Sequence, residues 1–189
     1  MNSFAQVEQW IAEDDFRIKC LRTAQQQISL EWYLSAGFVR NLIWDKLHGY
    51  EQMTPLNDID LIYFDSVSTS ISVSSAGLVK EEKQIEQALK AIMPACNWSV
   101  KNQVRMALKH GHAPYSGCIE AMSYWPEIQT AIGATLHSDG QIVVRSPFSA
   151  EKVVNLSASR NPKCTSDVFP SRVAEKRWSV LWPNLDIED

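Results

Sequence analysis

The sequence predicts an α/β (α+β) fold, a small mixed sheet packed by helices, with a C-terminal β-hairpin and further helices. Three observations carry that expectation. Residues 61–64, Leu-Ile-Tyr-Phe, are apolar on both alternating faces, the mark of a central strand covered on each side. Segments of helical apolar spacing alternate with short strand-like runs along most of the chain. The length of 189 residues suits one domain, and a chain of this size buries roughly 70% of the surface it exposes when unfolded. We read residues 1–189 as a single domain, with a core over about 30–110 and a C-terminal extension over about 111–189.

Each element has a local reason. Phe4, Val7, Trp10 and Ile11 recur at helical spacing, and Asp14 and Asp15 can cap a second helix carrying Ile18, Leu21 and Ile28. Trp32-Tyr33-Leu34 reads as a short strand running into Ala36-Gly37. From Phe38 the period is helical again through Val39, Leu42, Ile43 and Leu47, and Gly49 stands as a stop. Residues 66–75, rich in Ser, Thr and Val, read as an exposed loop or ragged edge strand. Residues 80–93 form a helix with Ile85, Leu89 and Ile92 on one face. Residues 98–106 alternate as a strand, with Trp98, Val100, Val104 and Met106 on one face and Asn102 among them. Residues 116–125 read as helix. Residues 130–137 and 141–145 flank Ser138-Asp139-Gly140 as a hairpin, and 149–156 and 170–182 supply the last helices.

Composition and charge exclude several classes of function. Apolar residues make up 45% and charged residues 21%, which is ordinary for a globular protein and excludes a disordered or low-complexity chain. No apolar run approaches the ~18 residues of a membrane span, and residues 1–9 lack the basic-then-apolar order of a signal peptide. A cytoplasmic protein with no membrane partner is therefore expected. Eighteen Lys and Arg against 22 Asp and Glu give a net charge of −4, which disfavours general nucleic-acid binding while leaving room for a local basic groove. Cys20, Cys96, Cys118 and Cys164 show no CxxC spacing and read as free thiols.

The chemistry concentrates in Asp58 and Asp60. Positions i and i+2 of a strand project from one face, about 6.5–7 Å apart along the chain. Like charges so placed repel, and either water or a divalent cation must offset that cost. Two carboxylates can hold the ions that assist in-line displacement at phosphorus. Upstream lies Ala36-Gly37-Phe38-Val39-Arg40-Asn41, at a strand-to-helix turn. Gly37 lets the backbone approach a phosphate, and Arg40, one turn into the helix, could grip it.

Those stretches, with Leu47-His48-Gly49, resemble the head of tRNA nucleotidyltransferases and bacterial poly(A) polymerases in the DNA polymerase beta-like superfamily. There the pattern is Gly-Gly-x-Val-Arg-Asp, Leu-x-Gly and Asp-hydrophobic-Asp. Further blocks are similar to a family of small bacterial nucleotidyltransferase-like proteins: Trp44-Asp45, Pro55-Leu56-Asn57-Asp58, Val100-Lys101-Asn102-Gln103, Trp125-Pro126-Glu127 and Pro147-Phe148. The resemblance implies the minimal nucleotidyltransferase fold. It also implies a metal-dependent enzyme that moves a nucleoside monophosphate from a nucleoside triphosphate to an acceptor hydroxyl, whether of a small molecule, a protein or RNA. Asp58 and Asp60 would hold Mg²⁺ or Mn²⁺, and Ala36, Gly37, Arg40, Asn41 and Lys101 the nucleotide. Two positions depart from the superfamily's pattern. Ala36 replaces the first glycine, a mild change by sequence. The third carboxylate, expected on the strand after Asp-x-Asp, aligns with Asn102, which can offer a metal its carbonyl oxygen but cannot take up a proton. The alternative is a catalytically inactive nucleotide-binding or protein-interaction module on the same fold.

Weaker signals have bland readings. His110-Gly111-His112 reads as an exposed loop. Lys101 and Arg105 are weighed evenly between a phosphate contact and a solvated strand face. Arg160, Lys163, Arg172, Lys176 and Arg177 read as a charged helix face, and the seven tryptophans as core anchors.

Overall fold

The computed structural model describes residues 3–65, 67 and 75–188. The chain begins with α1 (Phe4–Ala12) and α2 (Asp15–Gln27), started by Ser3 and Asp14, whose side chains accept from Gln6 N and Arg17 N. β1 (Glu31–Ser35) and α3 (Gly37–His48) follow, and α3 stops at Gly49, left-handed at φ 71°. Then come β2 (Ile59–Phe64), α4 (Ser75–Ile92), β3 (Trp98–Asn102), α5 (Gln103–His110) and α6 (Cys118–Met122). The rest is β4 (Gly133–Leu136), β5 (Ile142–Arg145), α7 (Ala150–Val153), β6 (Ser157–Ser159), α8 (Phe169–Glu175), α9 (Trp178–Leu181) and β7 (Asp186–Glu188).

Five strands form one mixed sheet in the order β3-β2-β1-β4-β5. β2 lies inside it, antiparallel to β1 and parallel to β3, as its two apolar faces require. The hairpin β4–β5 closes the other edge, and β6 pairs with β7 in a separate parallel pair. All four cysteines are free. No helix among the described residues is long and apolar enough to cross a membrane.

Two expectations are corrected. The strand over 98–106 ends at Asn102, because the Asn102 side chain accepts from Val104 N at 2.9 Å and starts α5 there. Val104 and Met106 therefore lie on a helix. The expected helix over 170–182 is broken into α8 and α9 by Arg177 at φ 54°. The loop or edge strand expected over 66–75 falls almost wholly outside the described residues.

The sheet's alternation divides its faces. Trp32, Leu34, Ile59, Leu61, Tyr63, Trp98 and Val100 are buried on the side of α1–α4, in a cluster that reaches Phe169, Trp178, Trp182 and Leu185. On that side α4 also guards the exposed edge of β3. Glu86 accepts from Val100 N at 2.9 Å and Glu82 from Asn102 N at 2.7 Å. Four helical residues advance about 6 Å and two strand residues about 6.6 Å, so carboxylates at i and i+4 match alternate strand N–H groups. An edge so occupied cannot recruit another strand.

The C-terminal segment is clasped to α3. Asp45 is fully buried. Its Oδ1 accepts from Trp182 Nε1 at 2.7 Å, and its Oδ2 from Thr54 N at 2.8 Å and Thr54 Oγ1 at 3.1 Å. Trp44 meets Trp178 and Trp182 edge-on at 5.4 and 5.0 Å. His48 Nε2 accepts from Asn184 N, and Tyr50 donates to Leu181 O. Trp182→Phe keeps a ring but strips one donor from a buried carboxylate. We expect it to cost about 1.5–3 kcal/mol in urea unfolding, while Tyr50→Phe, at a solvent-exposed bond, costs well under half of that.

Candidate active site

The second face of the sheet carries the chemistry. Register places Asp60, Ile62 and Phe64 of β2 beside Ser35, Tyr33 and Glu31 of β1, and Asp60 and Ile62 beside Ser99 and Lys101 of β3. α5 and α6 cover the Phe64 end, where Ile62, Cys118, Met122 and Ala131 make a small apolar cluster. The Asp60 end is left as the floor of a cleft of about 540 Å³. Ala36, Asp60, Ile62, Lys101 and Gln103 line its sheet side. His110, His112, Tyr115, Tyr124 and Trp125 line its far end, and residues 163–166 with Arg172 form a wall.

Burial, and then the charge of Asp58, push the Asp60 carboxyl above the usual carboxylate range. A hydrogen bond from Ser99 and the charges of Lys176 and Lys101 hold it back. Among the described residues no three His, Cys, Asp or Glu side chains gather closely enough to hold a metal ion. Of the two predicted carboxylates, Asp60 lines the cleft and Asp58 acts on it through its charge.

Beside Asp60, opposite Ser35, the chain turns sharply into α3. Ala36 sits at φ 54° and ψ −123°, a conformation that glycine adopts and alanine resists. Its carbonyl accepts from Val39 N and Arg40 N, and its own N–H is held by Ile132 O. The Ala36 side chain provides no cap, so the first N–H groups of α3 have no partner within the helix. The replacement of glycine at this position, mild by sequence, is thus a stored strain. A Cβ on Gly37 would stand 3.6 Å from both Arg40 Nη2 and Asn41 Oδ1, ordinary contact distances.

The remaining predicted residues divide. Lys101 lines the cleft, with Nζ 3.6 Å from Glu86. Arg40 and Asn41 are buried behind the turn. Arg40 Nη1 donates to Thr130 Oγ1 and Nη2 to Asn41 Oδ1, both at 2.8 Å, and its guanidinium lies over Trp44 and Trp178 at 4.9 and 4.8 Å. Burial brings its pKa down to about 10, so it stays charged at neutral pH. Asn102 does not face the cleft. It pairs with Tyr63 and is fully buried on the core side. The positions of β3 that share the face of Asp60 are Ser99 and Lys101.

The wall was missed by sequence. Glu127 is fully buried and ion-paired with Arg172 of α8. Asn161 Nδ2 donates to Ser123 O at 2.8 Å and Trp125 O at 2.7 Å, and its N–H donates to Pro126 O. Lys163 Nζ bonds Ser123 Oγ and sits 3.8 Å over the Tyr124 ring. Part of the basic C-terminal stretch therefore faces the cleft instead of open solvent. The only early sign was the Trp125-Pro126-Glu127 block, whose buried acid demanded a cation.

A mixed sheet flanked by helices, with an Asp-x-Asp strand end beside a tight strand-to-helix turn, defines a nucleotidyltransferase-type fold. The chain belongs to a family described as nucleotidyltransferase, whose sequence model matches residues 22–187. A solved structure titled "The NMR structure of the protein reveals a CCA-adding enzyme head domain" is similar over 100% of this chain and 97% of that one. The two share 25% identity and a TM-score of 0.81. None of the curated proteins matches the sequence.

Two substitutions test this geometry. Ala36→Gly should raise stability by about 1 kcal/mol in urea unfolding, since the strain relieved exceeds the backbone entropy glycine adds. Asn102→Asp should lower stability by about 1–3 kcal/mol, because it places a carboxylate beside buried Glu82. It should leave Mg²⁺ affinity, measured by calorimetry, unchanged; tighter binding would put position 102 back in the site.

Proposed function

We propose that this protein is a metal-dependent nucleotidyltransferase that moves a nucleoside monophosphate from a nucleoside triphosphate to an acceptor hydroxyl. The observation that carries the reading is one cleft in which the Asp60 carboxylate, with Asp58 two residues before it, meets the open N-terminus of α3. Asp58 and Asp60 would hold Mg²⁺ or Mn²⁺. The donor set suits Mg²⁺, which is commonly held by one or two carboxylates, with substrate phosphates and water completing its shell. A cation there would also offset the burial and the charge of Asp58 that lift the Asp60 pKa. When bound, the ion polarises the α-phosphate and offsets charge building on the pyrophosphate.

The chain's own groups do the rest. The free N–H groups at the start of α3 and the helix dipole receive the phosphates. Arg40 fixes positive charge behind the same turn, while its hydrogen bonds hold it in place. Lys101 supplies a second cation from the cleft side of β3. Ser99 and Lys101 occupy the places from which a carboxylate on β3 could face Asp60, so no acid on that strand is poised to take the acceptor's proton. Water or the substrate's own phosphates accept it.

In differential scanning fluorimetry, Mg²⁺ with a nucleoside triphosphate should raise the melting temperature. Asp58→Ala with Asp60→Ala should abolish that shift while the ligand-free protein still unfolds cooperatively. A shift undiminished in the double variant would place the nucleotide elsewhere and overturn the reading.

A further inference from the structure

The far end of the cleft holds an aromatic group that the nucleotide-binding turn does not use. His112 lies 4.6 Å from Tyr124 at an interplanar angle of 34°, and Tyr115 lies 5.4 Å from Tyr124 at 31°. His110 and His112 face each other at 5.8 Å and 32°. The Tyr115 hydroxyl is hydrogen-bonded to His112 Nδ1, which fixes both rings. The exposed Lys163 ammonium sits over Tyr124. These rings line the cavity and share its volume with Asp60. An aromatic cluster serving only as core would be closed off from that space, and would have no need of two imidazoles and an ammonium at its surface.

Position along the sheet says which substrate this end faces. Phe64, packed with Tyr124 at the edge of the buried cluster of Ala107, Tyr115 and Ala121, shares the face of Asp60 four residues further along β2, about 13 Å away. The turn at Ala36 lies at the opposite end, beside Asp60's partner Ser35. In-line displacement at phosphorus puts the attacking hydroxyl on the side opposite the leaving group. If the leaving pyrophosphate rests on α3, the attack comes from the side of the rings.

We propose that this end of the cleft is the acceptor subsite, and that the acceptor carries a planar heteroaromatic ring and an anionic group. The ring stacks on the Tyr124–His112 ladder, and Lys163 meets the anion. The proposal rests on the reading of the site as a nucleotidyltransferase. Stacking of a base on an aromatic side chain contributes enough to change affinity about tenfold or more.

Adenosine 5′-monophosphate and ribose 5-phosphate, which keeps the anion but lacks the ring, are the probes. Without added metal, titration followed by NMR should move the ring-proton signals of His112, Tyr115 and Tyr124. Adenosine monophosphate should bind about tenfold or more tighter than ribose 5-phosphate. Lys163→Ala should weaken it severalfold. A non-hydrolysable nucleoside triphosphate with Mg²⁺ should bind alongside it. Equal affinity of the two probes, or an unmoved set of ring signals, overturns the aromatic subsite. Competition between triphosphate and monophosphate overturns its assignment to the acceptor and gives the rings to the donor's base. Loss of triphosphate binding with monophosphate binding intact would fail the transferase reading and leave the ring subsite standing.

Discussion

Much of this structure hangs on the burial of one cation. Arg40 is 6% exposed, and an arginine taken out of water must find its partners inside the protein. It finds Thr130 on the strap before β4, Asn41 on its own helix, and the faces of Trp44 and Trp178. The charges of Glu127, Asp60 and Asp58 favour its charged form against the cost of desolvation. One side chain thus joins α3, the strap and the C-terminal helices, at a point where the next turn of backbone opens on the cleft. The strap is tied a second time, because Ile132 O receives the N–H of strained Ala36. A turn that alanine disfavours is held from both sides by groups that cannot relax independently.

The same logic explains the sequence blocks that surround the aspartates. Trp44, Asp45 and His48 grip the C-terminal segment. Glu127 grips Arg172, and the 123–126 backbone grips Asn161. Between them they bring residues far apart in the chain onto one wall. Lys163 and Arg172 join that wall while Lys101 lines the sheet side, with Arg172 paired to Glu127 and Lys101 beside Glu86. Net charge describes the whole chain and says little about this cleft, where a few fixed groups of both signs lie close together.

The sheet was legible where burial alone dictates the pattern. Leu61 to Phe64 could only be an interior strand, and β1, α3 and the β4–β5 hairpin followed from spacing and turn chemistry. Residues 98–106 misled because their alternation persists past Asn102, while a single side-chain hydrogen bond to Val104 N ends the strand. No apolar period records an N-cap. Arg40 misled differently. Its position one turn into α3 suggested a phosphate ligand, whereas the structure buries it between Trp44 of its own helix and Trp178, more than a hundred residues later. Trp10 and Trp125 stand apart from the five buried tryptophans, and Trp125 lines the cleft.

Asn102 shows how local structure restricts chemistry. To start α5 its side chain must fold back over the next N–H groups, and in parallel register with Tyr63 it must do so on the core side. Neither requirement can be met from the cleft. The side chains of β3 that can reach Asp60 are at 99 and 101, and both are already committed. Ser99 donates to Asp60, and Lys101 reaches around the strand edge toward Glu86. An acid at either place would exchange a stabilising contact for repulsion with Asp60 whenever the cation is absent. Two acids with a nearby lysine are therefore less strained in the absence of a cation than three acids would be. On the proposed reading, such a site would lean correspondingly more on the phosphates of a substrate to complete the coordination of a cation.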